Sequence, residues 1–223
     1  MPSLLLADRK VRMPDHFPDL DAFRDWAKSD AYPDTGQFAY LAGDLFVDFS
    51  MEQAFSHNQV KGECAIVVGA LVKRGKWGYY FHDRMLLSNP AAGLSCEPDG
   101  MFVSHAALDR DAVRLIESTG GDYIELVGTP DMVLEVVSTS SVEKDDETLR
   151  ELYARARIPE YWLIDARGEE LRFEILRLTA RGYTLPRRQA GGWMRSNVFG
   201  RSFRLTQQTD RRGNPQFTLE VRA

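Results

Sequence analysis

Only two cysteines, Cys64 and Cys96, occur in the 223-residue chain. One pair gives no disulfide framework, and no second pair offers zinc-ligand spacing. A reducing cytoplasm is the expected compartment. No apolar run approaches the roughly 18 residues of a membrane-crossing helix, so no membrane association is expected. The run Leu4-Leu5-Leu6-Ala7 is too brief for a secretory signal, and its charges follow the apolar stretch instead of preceding it. Internal repeats and low-complexity tracts are missing too. With 17 glycines and 10 prolines, a collagenous or wholly disordered chain is excluded.

Lysine is absent after residue 164. Residues 165–223 carry 12 arginines against 6 acids, +6 net, which leaves −11 on residues 1–164 and −5 on the whole chain. Such a split is what nucleic-acid contact by the basic part would produce. A solvated, arginine-studded β surface or a subunit interface would produce it equally well. DNA, gripped by the arginine-rich C-terminal segment, and a second copy of the chain in a homodimer are the expected partners.

What is present is enough apolar residue, 43%, in a chain long enough to bury about 70% of its unfolded surface. The patterning predicts a short helix over 19–29 and a hairpin over 36–49 turning at Ala42-Gly43-Asp44. A long helix follows over 55–73, with His57, Val60, Cys64 and Val67-Val68 on one face. Strands are expected over 77–81, 85–88 and 97–103. The most hydrophobic strand, Met132-Val133-Leu134-Glu135-Val136-Val137, is apolar on both faces and so belongs at the centre of a sheet. Ser138 to Ser141 supply N-cap material for a helix over 142–156. Buried strand 161–165 and antiparallel strands over 171–178, 183–187 and 217–221 complete the order, with a turn at Gly213-Asn214-Pro215. The fold expected is mixed α/β: a central mixed sheet flanked by helices, with extra antiparallel strands at both ends. Residues 1–30 would form an N-terminal arm and short helix, 31–180 the core, and 181–223 a C-terminal extension.

Glu135 is the anomaly of the central strand. A carboxylate there is costly unless it is paired or holds a cation. At about 3.3 Å per residue, Asp131 is too far along the same strand to share a metal with it. Asp99 opens another strand in the same Pro-Asp context; on an adjacent strand about 4.8 Å away, it can. Two carboxylates so placed suit a hard cation such as Mg²⁺, which keeps several waters. By itself Asp99 also reads as a strand-end residue. His57 reads as a core histidine or as a base or outer ligand. Lys144 reads as a surface lysine or as a cation reaching back to the strand end. Tyr161-Trp162 reads as core packing, and Cys96 as a space-filling thiol.

Thr129 to Ser140, followed by Glu151-Leu152-Tyr153 and Ile158-Pro159-Glu160-Tyr161-Trp162, resembles the Uma2 family of restriction-endonuclease-like domains. Their pattern runs PD-hydrophobic-E-V-x-S, a charged helix ending in Tyr, and a GVPEYW strand. Tyr40 to Leu45, the His57 helix and Glu97-Pro98-Asp99 also match, so the resemblance covers about residues 30–180. It implies the PD-(D/E)XK nuclease fold, with Asp99 and Glu135 as metal ligands. Val137 stands where the superfamily has its lysine, and Leu149 where this family places a substitute on the following helix. The resemblance thus implies a DNA endonuclease using Mg²⁺ or Mn²⁺, with Asp99, Glu135, Lys144 and His57 as its catalytic set. The missing lysine leaves a second reading open: a weakened nuclease-fold protein that binds nucleic acid, or itself, without cutting.

Overall fold

The computed structural model describes residues 3–6, 11–14, 16–118 and 120–223; Ala7 of the N-terminal apolar run lies outside them. Two six-stranded mixed sheets dominate. The first runs in the order 182–184, 172–179, 160–165, 132–136, 100–104, 78–82. Met132–Val136 is buried at every position, as its two-faced hydrophobicity requires. It pairs parallel with Glu160–Asp165 and antiparallel with Gly100–Ser104. A parallel neighbour needs a helical crossover, and residues 144–155 provide it: a π-helical turn, Lys144–Thr148, runs into the α-helix Leu149–Arg155.

The second sheet has the order 44–48, 37–41, 94–96, 86–89, 123–128, 113–117. Alternation along the central strand divides the interior. Val133 and Val137 face a core shared with the second sheet and with Leu149, Leu152 and Tyr153. Met132, Leu134 and Val136 face the opposite way, toward the helix Val60–Gly75 and a three-stranded sheet, 194–196, 201–209 and 215–222. The helix Leu20–Ala27 packs its Leu20, Phe23 and Trp26 in a third cluster against Phe38 and Tyr40.

Element boundaries differ from the sequence pattern in several places; the strand expected over 97–103, for one, spans Gly100–Ser104, after a separate short strand Leu94–Cys96. The helix expected over 55–73 begins as a π-helical segment, Ala54–Gln59, and runs on to Gly75, where Lys76 turns left-handed at φ 51°. The strand expected over 183–187 ends at Thr184, because Pro186 has no N–H to give a ladder. The pair Val113–Glu117 and Tyr123–Gly128 falls where no clean alternation stands out. Glu125 is fully buried there and is held by Arg24 at 2.6 Å and Lys28 at 3.4 Å. Among the described residues no helix is long and apolar enough to cross a membrane.

Candidate active site

Register decides the centre of the site. Gly100 lies opposite Leu134, which sets Asp99 alongside Glu135. Val136 donates its backbone N–H to Asp99 Oδ2 at 2.7 Å, so the two strands fix the aspartate directly. Both carboxylates line a cavity of about 210 Å³, walled also by His57, Lys61, Lys144 and Asp145.

Two basic side chains from the helical stretch 54–75 face Asp99. His57 Nε2 lies 3.4 Å from Asp99 Oδ2 and its Nδ1 2.7 Å from Glu52 Oε1. Lys61, one turn further along, sets its Nζ 3.6 Å from Asp99 Oδ1 and 3.2 Å from Asp83, and pairs with Glu52 as well. Burial pushes the Asp99 carboxyl up, but the His57 hydrogen bond and charge, with Lys61 and the Val136 amide, bring it below its ordinary value. Burial pushes His57 down, but the hydrogen bond and charge of Asp99, together with the Glu52 hydrogen bond, more than reverse this, leaving the imidazole more basic than usual. The result is a Glu52–His57–Asp99 chain that orients the aspartate.

Glu135 has a different environment. It points between the two sheets and accepts a hydrogen bond from the Tyr153 hydroxyl at 2.5 Å. That hydroxyl also lies 3.4 Å from Cys96 Sγ. Burial raises the Glu135 carboxyl well above its ordinary value, with the charge of Lys144 offsetting part of the effect. Lys144 pairs with Asp145 at 3.1 Å and lies 5.3 Å from the centre of the Phe46 ring. Burial lowers the lysine, while the charges of Glu135 and Asp145 raise it further, so it stays cationic. Asp145 is fixed in turn by Ser141, whose hydroxyl donates at 2.5 Å.

The donor set suits a hard cation. Among the described residues no three His, Cys, Asp or Glu side chains converge on one point. Mg²⁺ and Mn²⁺ need no such cage: one or two carboxylates and several waters suffice. Glu135, buried and with Lys144 offsetting only part of that burial, is the carboxylate that an added cation would stabilise most.

The four residues expected from sequence therefore meet in one cavity. Lys144 is not a surface lysine; its side chain is 13% exposed. Asp131 is remote in function: it caps Ser104 N–H at 2.7 Å. Val137 and Leu149 are fully buried apolar core, and Leu149 borders a small void beside Glu135 together with Lys144. Tyr161 and Trp162 are core, as expected. Cys96 is buried with its thiol pushed up to about 12 by burial, an inert group. Sequence reasoning missed Lys61, although it sits four residues after His57 on the same helix face. It also missed Glu52, Asp83, Tyr153 and Asp145, which reach the site from separate segments.

Glu52 yields a pH prediction. Burial raises its carboxyl, but hydrogen bonds from Lys61, Asn58 and His57 hold it down to about 2. A depressed folded-state pKa contributes stability above the unfolded value, and that stability is lost as pH falls through the folded value. The loss of stability in Glu52→Gln should therefore be full at pH 7 and shrink steadily from about pH 4.5 toward pH 2. Its size should stay modest because the group is 37% exposed. Urea midpoints of both proteins across that range measure it; a difference independent of pH would remove the charge argument.

A model of the Uma2 family, described as "Putative restriction endonuclease", matches residues 20–208. Among solved structures, the chain is similar to the crystal structure of "a putative nuclease belonging to DUF820" from Anabaena variabilis. The TM-score is 0.60 at 16% identity, covering 82% of this chain and 90% of that one. At that identity the likeness speaks for the fold. No curated protein matches the chain.

Proposed function

From the premise that the chain belongs to the Uma2 family of restriction-endonuclease-like proteins, we propose that it is a divalent-metal-dependent DNA endonuclease. The observation that carries this reading is the meeting of Asp99 and Glu135, from adjacent strands, in one cavity with two half-buried lysines. Asp99 and Glu135 would hold Mg²⁺ or Mn²⁺, which supplies a bound water of lowered pKa and a counter-charge for the phosphate. The chain's own residues do the positioning. The Val136 amide and the Glu52–His57 pair aim Asp99, and the Tyr153 hydroxyl fixes Glu135.

Lys144 takes the part of the absent motif lysine, orienting water and offsetting negative charge as it develops. Its support is that Lys144 and Leu149 border the same void beside Glu135, so a lysine five positions earlier in the chain serves the space a lysine at 149 would fill. DNA would be gripped by arginines with no internal partner among the described residues, such as Arg187, Arg211 and Arg212. Arg167, Arg172 and Arg204 are engaged with Asp165, Asp146 and Glu220.

The test is nicking of supercoiled plasmid with Mg²⁺ or Mn²⁺ against a chelator control. Metal-dependent conversion to the open circle is expected, and intact plasmid at high protein concentration would sink the proposal. Lys144→Ala should lower kcat by about 10²-fold with KM little changed. Lys144→Arg should recover part of the loss, because charge is kept and geometry is not. An unchanged kcat in Lys144→Ala would return that residue to a purely structural part.

A further inference from the structure

Arg84 stands out once the charges around the cavity are paired off. Lys61, Lys144 and His57 all have carboxylate partners. Arg84 is exposed and borders the cavity; no carboxylate oxygen of the described residues lies within 4.0 Å of its guanidinium, and the carboxylate its charge acts on is Glu97, beyond direct pairing distance. It is also held in place deliberately. Asp83 and Arg84 are consecutive non-glycine residues at positive φ, 56° and 55°, a conformation that side chains resist and that persists only where surroundings enforce it. The enforcement comes from the site. The Asp83 amide donates to the Asp99 carbonyl at 3.2 Å, and the Asp83 carboxylate pairs with Lys61 at 3.2 Å.

The same arginine borders a second cavity. That space is about 480 Å³ and is lined by Tyr32, Leu86, Ile124 and Lys28, with Arg84 and Glu97 common to both cavities. The catalytic cavity, at about 210 Å³, is below the usual range for an organic ligand, roughly 300–1,000 Å³, and suits a phosphate with a hydrated ion. The second is within that range; its lining is mostly polar, with Lys28, Asp30, Asp34 and Glu97 beside Leu86, Ile124 and the Tyr32 ring, which gives a base a ring to stack on and hydrogen-bonding partners around it.

The geometry points to Arg84 as a substrate-positioning residue that binds the phosphate next to the scissile one, with the adjoining nucleotide received in the second cavity. This rests on the nuclease reading and names where the substrate continues. A planar guanidinium takes two phosphate oxygens at once, which fixes strand position as well as charge.

The experiment uses the full chain and a short fluorescein-labelled DNA duplex, cleaved with Mn²⁺ and bound, without cleavage, in Ca²⁺. Arg84→Ala should raise KM by about 10-fold with kcat nearly unchanged, and lower the slope of log affinity against log salt by about one. Arg84→Lys should restore the salt slope but only part of KM. If the wild type cuts and Arg84→Ala matches it in KM and slope, this inference alone falls. If the wild type binds without cutting, the salt slope in Ca²⁺ decides it in the same way. A wild type that neither cuts plasmid nor binds the duplex overturns the nuclease reading and this inference together.

Discussion

Replacing Glu135 by alanine or glutamine should lower metal-dependent nicking by at least about 10³-fold, the scale on which loss of transition-state charge stabilisation acts. The two variants separate chemistry from packing. Glutamine keeps the shape of the side chain and an acceptor for the Tyr153 hydroxyl, now 2.5 Å from the carboxylate, but cannot supply an anionic ligand. Alanine removes both. Stability should change little for glutamine, whereas alanine leaves the buried Tyr153 hydroxyl with only Cys96 Sγ, 3.4 Å away, and should melt lower. Glu135 is a buried acid whose carboxyl burial pushes up, so its removal relieves a desolvation penalty. Lys144 keeps Asp145 as its counter-ion at 3.1 Å. A thermal melt of the glutamine variant within a few degrees of wild type, together with lost nicking, is the expected pair of results. Wild-type nicking by the glutamine variant would show that Glu135 does not hold the cation.

Glu160→Ala should have the opposite profile: a large loss of stability and no specific loss of chemistry. The acid of the Pro159-Glu160-Tyr161-Trp162 motif points away from the cavity and is 1% exposed. Its carboxylate accepts from the Trp162 indole at 3.1 Å, the Ser196 hydroxyl at 2.7 Å and the Val198 amide at 3.1 Å, and from the Asn197 amide as well. It therefore ties the turn that opens the C-terminal sheet onto the central sheet. Alanine would leave four donors without an acceptor, the Trp162 indole and Ser196 hydroxyl buried and two backbone amides part-buried, a cost of about 3–5 kcal/mol. For a chain of this size that lowers Tm by roughly 10 °C. Glu160→Gln keeps one acceptor oxygen but brings two N–H groups among donors, and should fall between. Urea unfolding measures the loss; nicking per folded molecule at low temperature should stay near wild type. A fall in activity without a fall in stability would place Glu160 in the chemistry.

Much of the site was legible in the sequence because its two acids break local rules. Glu135 interrupts an apolar strand, and Asp99 repeats the Pro-Asp strand entry of Asp131. Their juxtaposition needed only the assumption of adjacent strands. His57 and Lys144 were legible as alternatives, each with a bland reading that burial and partners removed. Lys61 had a signal, its i, i+4 relation to His57, that an eye drawn to acids passes over. Glu52, Asp83, Arg84 and Asp145 had none. They sit in loops or a π-helical turn, where spacing carries no face information, and their parts depend on what folding brings beside them. Asp145, in the run Lys144-Asp145-Asp146-Glu147, looks like solvated charge until the crossover buries it.

The arginine-rich segment shows the same division. Composition established that positive charge gathers after residue 164, but not what that charge does. Folding spends several of those arginines internally: Arg177 on the Arg195 carbonyl, Arg188 on that of Phe173, and Arg204 and Arg222 over the Trp193 ring.

The sequence by itself determined the first hairpin, the two long helical segments, the buried central strand, the family, and the pair of carboxylates, because these rest on periodicity and on residue types at short spacing. Only the tertiary structure decided which charges are paired, that Lys144 is interior, that Glu135 and Asp99 have opposite shifts, and that Arg84 borders two cavities. Those depend on desolvation and on distances between segments far apart in the chain, and no local pattern encodes either.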